Sequence, residues 1–397
     1  MVATRRALLS VTALTAGALA LSGCSVGQLG VHAGTVVQES VATISLSPAP
    51  TGKPVAPATP LVVKVKAGRL TDVVVSGPHG PVAGTLSVDG LVWTAESGVL
   101  DYNAKYAVKA TAVDRTGLPT ALSETIATVA PTNFLSFTVS PGSSQTVGVG
   151  LPMSVALDHR ISSPAQRAAV ERHLAVTSDG RPVVGGWRWQ SDDLLVYRPK
   201  VFWPGNATIA LTASFKGVRF SSALWGEKTL TSTFRTGPAM VSYVDMRTHQ
   251  LRVTRDGKAI RTIPITTGKV GFETRSGIKV IMSKERTRIM DAATGGTSKT
   301  DPEYYRLEVE YAMRITNSGE FLHAAPWSVS HQGHSNVSHG CTGMSTSNAA
   351  WLYANSRPGD VVIYTGNDRT IEGGNGITVW NVSWSHWQKY SALTATT

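Results

Sequence analysis

Cysteine is nearly absent from the 397-residue sequence, which holds only Cys24 and Cys341. Two thiols so far apart exclude the dense disulfide framework common in small exported domains. Acidic residues are also few, 26 Asp and Glu against 37 Lys and Arg, for a net charge of +11. Such an excess draws a protein towards anionic wall polymers or anionic lipid head groups. The basic residues are dispersed rather than clustered, which speaks against a nucleic-acid partner. A membrane-spanning run is missing too. The apolar stretch from Ala7 to Leu21 falls short of the roughly 20 residues that cross a bilayer.

That stretch has instead the shape of a secretory signal, with Arg5-Arg6 before it and Leu21-Ser22-Gly23-Cys24 at its end. The final tetrapeptide resembles a bacterial lipobox. Cleavage before Cys24 leaves a cysteine for diacylglyceryl attachment, and the protein is then expected on the outer face of the cytoplasmic membrane, facing the cell wall. The plainer alternative is an ordinary signal peptide with an incidental cysteine. With Cys24 lipidated, Cys341 has no partner. An unpaired thiol in an oxidising compartment is a liability unless it is used, which favours a chemical role for Cys341.

Cys341 lies in the stretch from His323 to Met344, HAAPWSVSHQGHSNVSHGCTGM, which holds four of the ten histidines. A thiol attacks carbonyls as the thiolate, and a nearby imidazole can take its proton and hold the anion at lowered pKa. Gly340 allows the sharp turn that presents backbone N–H groups, and those of Gly340 and Cys341 suit an oxyanion hole. His323 follows Glu320-Phe321-Leu322 and suits the end of a strand. Three readings compete. One is a buried cysteine among loop histidines. Another is a zinc site using His323, His331, His334, His339 and Cys341; its spacings match no zinc motif, and no Asp or Glu lies between His323 and Cys341. The third is a cysteine acyltransferase.

His323, a fourteen-residue gap and Ser338-His339-Gly340-Cys341 together resemble the signature of the L,D-transpeptidases with a YkuD-type catalytic domain. Asn317-Ser318-Gly319 before the histidine, Pro326-Trp327 after it and Ser345 to Ala349 beyond the cysteine fit the same pattern. The likeness is greatest to multidomain enzymes of mycobacteria and their relatives, and it covers roughly Pro131 to the C-terminus. It implies Cys341 as nucleophile and His323 as general base, oriented through the backbone carbonyl of the next residue. His339 and Gly340 would belong to the nucleophile loop. Tyr305 matches a lid tyrosine, Met290 and Trp327 line the approach, and Ser318, Gly319 and Ser338 fall at substrate-contacting positions. The chain also departs from the family. Gly343 stands where asparagine or arginine is usual, costing an amide that helps hold substrate. Thr342 occupies a normally apolar position, Ala324 replaces a frequent serine, and Arg275 replaces a turn proline.

The remaining chain reads as β-rich modules. After a signal (1–23) and a spacer (24–40), short alternating runs such as Leu61–Val65, Thr71–Val75 and Tyr106–Ala110, broken by turns, predict an immunoglobulin-like β-sandwich over 41–130. Five prolines between Pro48 and Pro60 mark an extended connection. A second sandwich is expected over 131–237, with one helix from Pro164 to Leu174 capped by Ser163 and Gln166. Trp187, Trp189, Trp203 and Trp225 read as its core rather than as a sugar platform. The catalytic domain is placed at 238–366, with a flexible lid over Lys284–Tyr305 and a short helix from Asn348 to Asn355. A Trp-rich subdomain follows at 367–397, where Trp380, Trp384 and Trp387 could share one helical face packed on the second sandwich.

The fold class is thus mainly β: two immunoglobulin-like sandwiches, a YkuD-type catalytic domain and a short C-terminal subdomain. The resemblance implies transpeptidation between peptidoglycan tetrapeptide stems, with D-alanine released and a 3→3 cross-link formed. It implies no cofactor or metal, and carbapenem β-lactams as acylating inhibitors. The alternative is a wall-binding or scaffold protein with a weakened or redirected site.

Overall fold

The structure, a computed structural model, describes residues 38–96 and 100–394. The expected signal and Cys24 lie outside these residues. Among the described residues no helix is long and apolar enough to cross a membrane.

The first sandwich has two four-stranded sheets. One orders strands Thr43–Ser47, Val62–Lys66, Val92–Ala95 and Gly84–Leu86; the other orders Gly80–Pro81, Gly68–Gly77, Lys105–Asp114 and Pro119–Ala127. Strict alternation in Lys105–Asp114 turns Tyr106, Val108, Ala110 and Ala112 inward, each at most 1 % exposed. Full burial of an aliphatic side chain such as Val108 is worth about 1.5–3 kcal/mol. The proline-rich connection is tied down where the Val55 N–H donates to the Ala127 carbonyl (2.8 Å).

The second sandwich packs the sheet of Phe137–Ser140, Met153–Leu157, Leu194–Pro199 and Gly185–Trp189 against a five-stranded sheet centred on Thr208–Ser214. Its helix, Pro164–Arg172, starts with proline at the first position as the sequence suggests, but the Ser163 side chain makes no capping bond. Arg167 anchors this end instead, donating to the Ile161 carbonyl (2.8 Å) and pairing with Asp192. The helix stops before Leu174 because Leu174–Ser178 pairs with Thr208–Ser214. Sheet pairing prevails there over continued helix. Trp187, Trp203 and Trp225 are buried. Trp189 is half-buried, with its indole N–H on Glu171 (2.8 Å) and Arg167 over its ring. The two sandwiches meet at Tyr102, whose hydroxyl donates to the Gly226 carbonyl (2.6 Å) and accepts the Gly217 N–H (2.9 Å).

Downstream, a five-stranded mixed sheet orders Lys258–Pro264, Gln250–Arg255, Met240–Asp245, Val361–Thr365 and Gly277–Val280. A four-stranded sheet orders Ser283–Asp291, Arg306–Arg314, Phe321–Ala324 and Thr342–Met344. The first eight residues of the expected lid, Lys284–Asp291, are therefore strand, in a register that runs from Ser283 opposite Arg314 to Asp291 opposite Arg306. Only the short 3-10 turn Ala292–Gly295 and the segment up to Tyr305 form a connection. Helix Thr346–Asn355 begins where the Ser345 hydroxyl accepts the Asn348 N–H (3.3 Å), and it buries Ala349 and Leu352. The catalytic unit is joined to the second sandwich where Gly148 and Gly150 N–H groups donate to Pro358 and Gly359 carbonyls (both 2.8 Å).

The tail forms two short helices, Val379–Asn381 and Trp384–Gln388, rather than one continuous face. Both nevertheless serve the second sandwich. The indole N–H of Trp380 donates to Gly150 and that of Trp387 to Gly186, and Arg198 lies within 5.0–5.5 Å of all three tryptophan rings. The tail also reaches the other way. Asn381 pairs through both side-chain polar atoms with Ile278 on the edge strand.

Candidate active site

Strands Phe321–Ala324 and Thr342–Met344 run parallel and side by side, with Leu322 opposite Thr342 and His323 opposite Gly343. This register brings His323 and Cys341, eighteen residues apart in sequence, to the wall of one cleft of about 330 Å³. His323 sits on a strand, as its apolar surroundings imply, and is buried. Its Nδ1 is 2.7 Å from the carbonyl oxygen of Ala324. A carbonyl only accepts, so Nδ1 carries the proton and Nε2 is left as the basic nitrogen. Burial holds the His323 pKa below its ordinary value, so the ring is neutral at pH 7.

Cys341 is partly covered. Its thiol donates towards the Gly319 carbonyl (3.6 Å), and among the described hydrogen bonds none joins it to His323. Burial pushes the thiol up to about 11, with the Glu320 carboxylate adding to the rise and Lys279 and Arg314 opposing it. The sequence suggests a thiol pKa lowered by a neighbouring imidazolium, whereas burial in the structure acts in the opposite direction. Burial outweighs nearby positive charge when the imidazole is itself neutral.

Gly340 has φ of +118°, a backbone region that favours glycine. Its N–H donates to the Ser338 hydroxyl (3.1 Å), which in turn donates to the Cys341 carbonyl (2.6 Å). One expected oxyanion donor thus already has an internal partner. The His339 ring lies between Phe272 and Tyr305, at 4.7 and 4.9 Å. Its Nε2 is 2.6 Å from Glu303, which also accepts from Lys269 (2.7 Å). These two bonds hold the Glu303 carboxyl below its usual range. Burial pushes the Tyr305 hydroxyl up to about 12.

Met290, Tyr305, Trp327, Ser338 and His339 line the cleft with His323 and Cys341. Trp327 is 59 % exposed at its mouth. Ser318 and Gly319 line a second cleft, which shares Met290, Tyr305 and His339 with the first. The Ser318 hydroxyl and N–H are both engaged by Asn375 of the tail (3.0 and 2.9 Å). Gly343 also lines the first cleft, and its backbone pairs in both directions with Thr266. A Cβ there would lie 2.9 Å from the Ala325 Cβ and 3.1 Å from Thr266 Cγ2. Glycine therefore makes room at a position where the family usually places a long side chain.

Several contributors are not apparent from sequence. Glu303 and Lys269 orient His339. Lys279, Glu320 and Arg275 form a charge cluster behind the loop. Thr342, wholly buried, shares a hydrogen bond with the Tyr364 hydroxyl (2.7 Å), which accounts for a hydroxyl at an apolar position. Arg275, in place of the turn proline, ties Glu320 to Glu372 of the tail. The five candidate zinc ligands do not converge. Among the described residues no three His, Cys, Asp or Glu side chains gather to hold a metal ion.

Comparison with known proteins agrees with this arrangement. Residues 240–363 match the L,D-transpeptidase catalytic domain family, and residues 52–219 match the bacterial Ig domain family. The chain is 34 % identical to L,D-transpeptidase 2 of Mycobacterium tuberculosis over 335 residues, covering 84 % of this chain and 81 % of that protein. It is 32 % identical to L,D-transpeptidase 5 of the same species, covering 88 % and 77 %. Among solved structures, the transpeptidase LdtMt1 in complex with imipenem superposes with a TM-score of 0.50 at 32 % identity, over 59 % of this chain and 100 % of that one. An L,D-transpeptidase from Mycobacterium smegmatis gives 0.50 at 33 % identity, over 58 % and 99 %.

Proposed function

The chain belongs to the L,D-transpeptidase family, and from that premise we propose that it makes 3→3 cross-links between peptidoglycan stems through a Cys341 acyl-enzyme. The observation that carries this reading is the parallel strand register that sets the Cys341 loop beside His323 with Nε2 unprotonated. In the proposed sequence, Cys341 Sγ attacks the carbonyl carbon of the third residue of a tetrapeptide stem. The thiol proton passes to His323 Nε2, and the terminal D-alanine leaves as the amine after taking that proton back. The side-chain amine of a neighbouring stem then attacks the thioester, gives up a proton to Nε2, and releases the thiol as the new amide forms.

Because thiol and imidazole are both neutral at rest, proton transfer accompanies attack rather than preceding it. The oxyanion falls to the Cys341 N–H and to the Gly340 N–H, which the Ser338 hydroxyl must share or release. Tyr305 and His339 wall the reacting carbonyl between the two clefts. Proton transfer to His323 and the N–H donors supply the activation, so the scheme calls on no cofactor. Carbapenems fit the same chemistry as covalent inhibitors, and LdtMt1 is a relative solved with one of that class. We place the enzyme outside the cytoplasmic membrane, lipid-anchored through Cys24, with the two sandwiches as spacers towards the wall.

A binding or scaffold role is the second reading, favoured by the high thiol pKa and by Gly343. Intact mass of the protein and of Cys341→Ala after exposure to a carbapenem separates the two. One adduct on the parent and none on the variant, followed by D-alanine release from tetrapeptide stems, supports the enzyme. No adduct on either protein would leave the binding role standing.

A further inference from the structure

The second cleft, on the far side of Tyr305 and His339 from the first, contains two guanidinium groups that the scheme above does not use. Arg288 and Arg314 both line it, together with Ser318, Gly319 and Phe321. They converge on one buried ring, with Arg314 4.4 Å and Arg288 5.2 Å from the Phe321 centroid. Arg288 is balanced by both oxygens of Glu285 (2.8 Å each). Arg314 is not balanced. Its guanidinium donates only to the Thr316 and Asn317 carbonyls (3.2 and 3.4 Å), and among the described residues no carboxylate forms an ion pair with it.

A half-buried guanidinium held by backbone carbonyls keeps its full charge and N–H donors suited to a carboxylate. Burial and the Arg288 charge lower the Arg314 pKa, and the Glu285 carboxylate, beyond ion-pair distance, opposes them in part. The one acidic residue lining the cleft, Asp291, is engaged elsewhere. It caps the 3-10 turn through the Ala293 N–H (2.9 Å) and faces Arg306 at 3.8 Å. The cleft also adjoins the reacting group, since the Cys341 thiol hydrogen-bonds to Gly319 on its wall.

We propose that this cleft is a carboxylate-binding subsite in which Arg314 contacts the anion, selecting stem peptides with a free carboxylate at the third residue. The inference deepens the transpeptidase reading and rests on it. A planar guanidinium offers a carboxylate two parallel N–H bonds, and an amide at the same place forfeits both the charge and one acceptor.

The test measures equilibrium binding, by calorimetry, to full-length Cys341→Ala. The ligands are two tetrapeptide stems that differ only in a carboxylate or a carboxamide on the side chain of the third residue. The carboxylate stem should bind about tenfold or more tightly, as expected for a charge-assisted contact. Adding Arg314→Gln should abolish the preference between the two stems, and Arg314→Lys should restore part of it. Thermal melts of each variant confirm that the Phe321 contact is not needed for folding. Equal affinities in the parent, a preference that survives Arg314→Gln, or no binding of either stem would overturn the subsite. Binding does not require the nucleophile. A missing carbapenem adduct on wild-type Cys341 would therefore count against the catalytic reading alone.

Discussion

Lys279 and Glu320 form a buried ion pair behind the nucleophile loop, at 0 % and 4 % exposure. The Lys279 ammonium also lies 3.9 Å over the Tyr364 ring, whose hydroxyl bonds to Thr342 beside Cys341. The other Glu320 oxygen takes the backbone N–H and guanidinium of Arg275 (3.1 and 3.0 Å). Removing Lys279 leaves the buried Glu320 carboxylate with Arg275 as its one remaining ion-pair partner among the described residues. Lys279→Met should cost about 3–5 kcal/mol, whereas Lys279→Met/Glu320→Leu should recover part of that loss, since Arg275 keeps Glu372 as its partner. Urea unfolding of Lys279→Met and of Lys279→Met/Glu320→Leu checks this. Equal losses in the single and double variants would show that packing, not charge pairing, sets the cost.

The Cys341 thiol, pushed up to about 11 by burial, should be slow to alkylate at neutral pH compared with a free cysteine of pKa about 8.5. Only the thiolate reacts, so the rate with iodoacetamide should climb about tenfold per pH unit from 7 to 10. Mass spectrometry of the modified chain follows it directly. A rate already flat from pH 7 upwards would instead mean a resting thiolate–imidazolium pair.

Much of this site could be read from the chain because its signals are local. Ser338 to Cys341 is one contiguous turn, and the apolar run before His323 marks a strand whatever that strand packs against. The charge cluster is different. Lys279 follows one strand pattern and Glu320 precedes another, and nothing local says that two charged residues forty-one positions apart are buried together. The thiol pKa escaped for the same reason, since desolvation depends on every element that covers Cys341. Glu303 lies in a polar segment, where its bond to His339 has no sequence signature. The first residues of the expected lid pair with a strand more than a dozen positions downstream, a register that Gly295-Gly296 and the local sequence do not announce.

Gly343 sits where an added Cβ meets Ala325 at 2.9 Å and Thr266 at 3.1 Å. Neither contact is the free end of a long side chain, so the backbone or the cleft wall must give. Gly343→Ala should destabilise by about 1–3 kcal/mol. It should also slow carbapenem acylation of Cys341, because the new methyl enters the cleft. Thermal melting and adduct formation over time measure the two effects. Unchanged acylation in a destabilised variant would place the strain away from the reacting face.

Asp360 follows Pro358 and Gly359, the residues that join the catalytic unit to the second sandwich, and is the clearest source of a pH response in stability. Its Oδ2 accepts the Arg357 N–H (2.8 Å), while its Oδ1 is buried without a hydrogen-bond partner among the described residues. Burial pushes its carboxyl up to about 7, with Arg357 and Lys284 opposing the rise. An unfolded aspartate titrates near 3.9, so between roughly pH 4 and 7 the folded chain holds the extra proton. Stability from this residue is therefore complete below about pH 4 and declines as pH rises through 7, by an amount on the order of 4 kcal/mol. Carboxylates whose pKa is lowered, such as Asp245, lose protons before the unfolded chain does and give the opposite slope. The measurement is thus the difference between wild type and Asp360→Asn in urea unfolding from pH 4.5 to 7.5. The variant should gain on wild type as pH rises. Parallel curves would mean that Asp360 ionises freely in the folded chain, through a water reaching Oδ1 or a shift of Arg357 towards it.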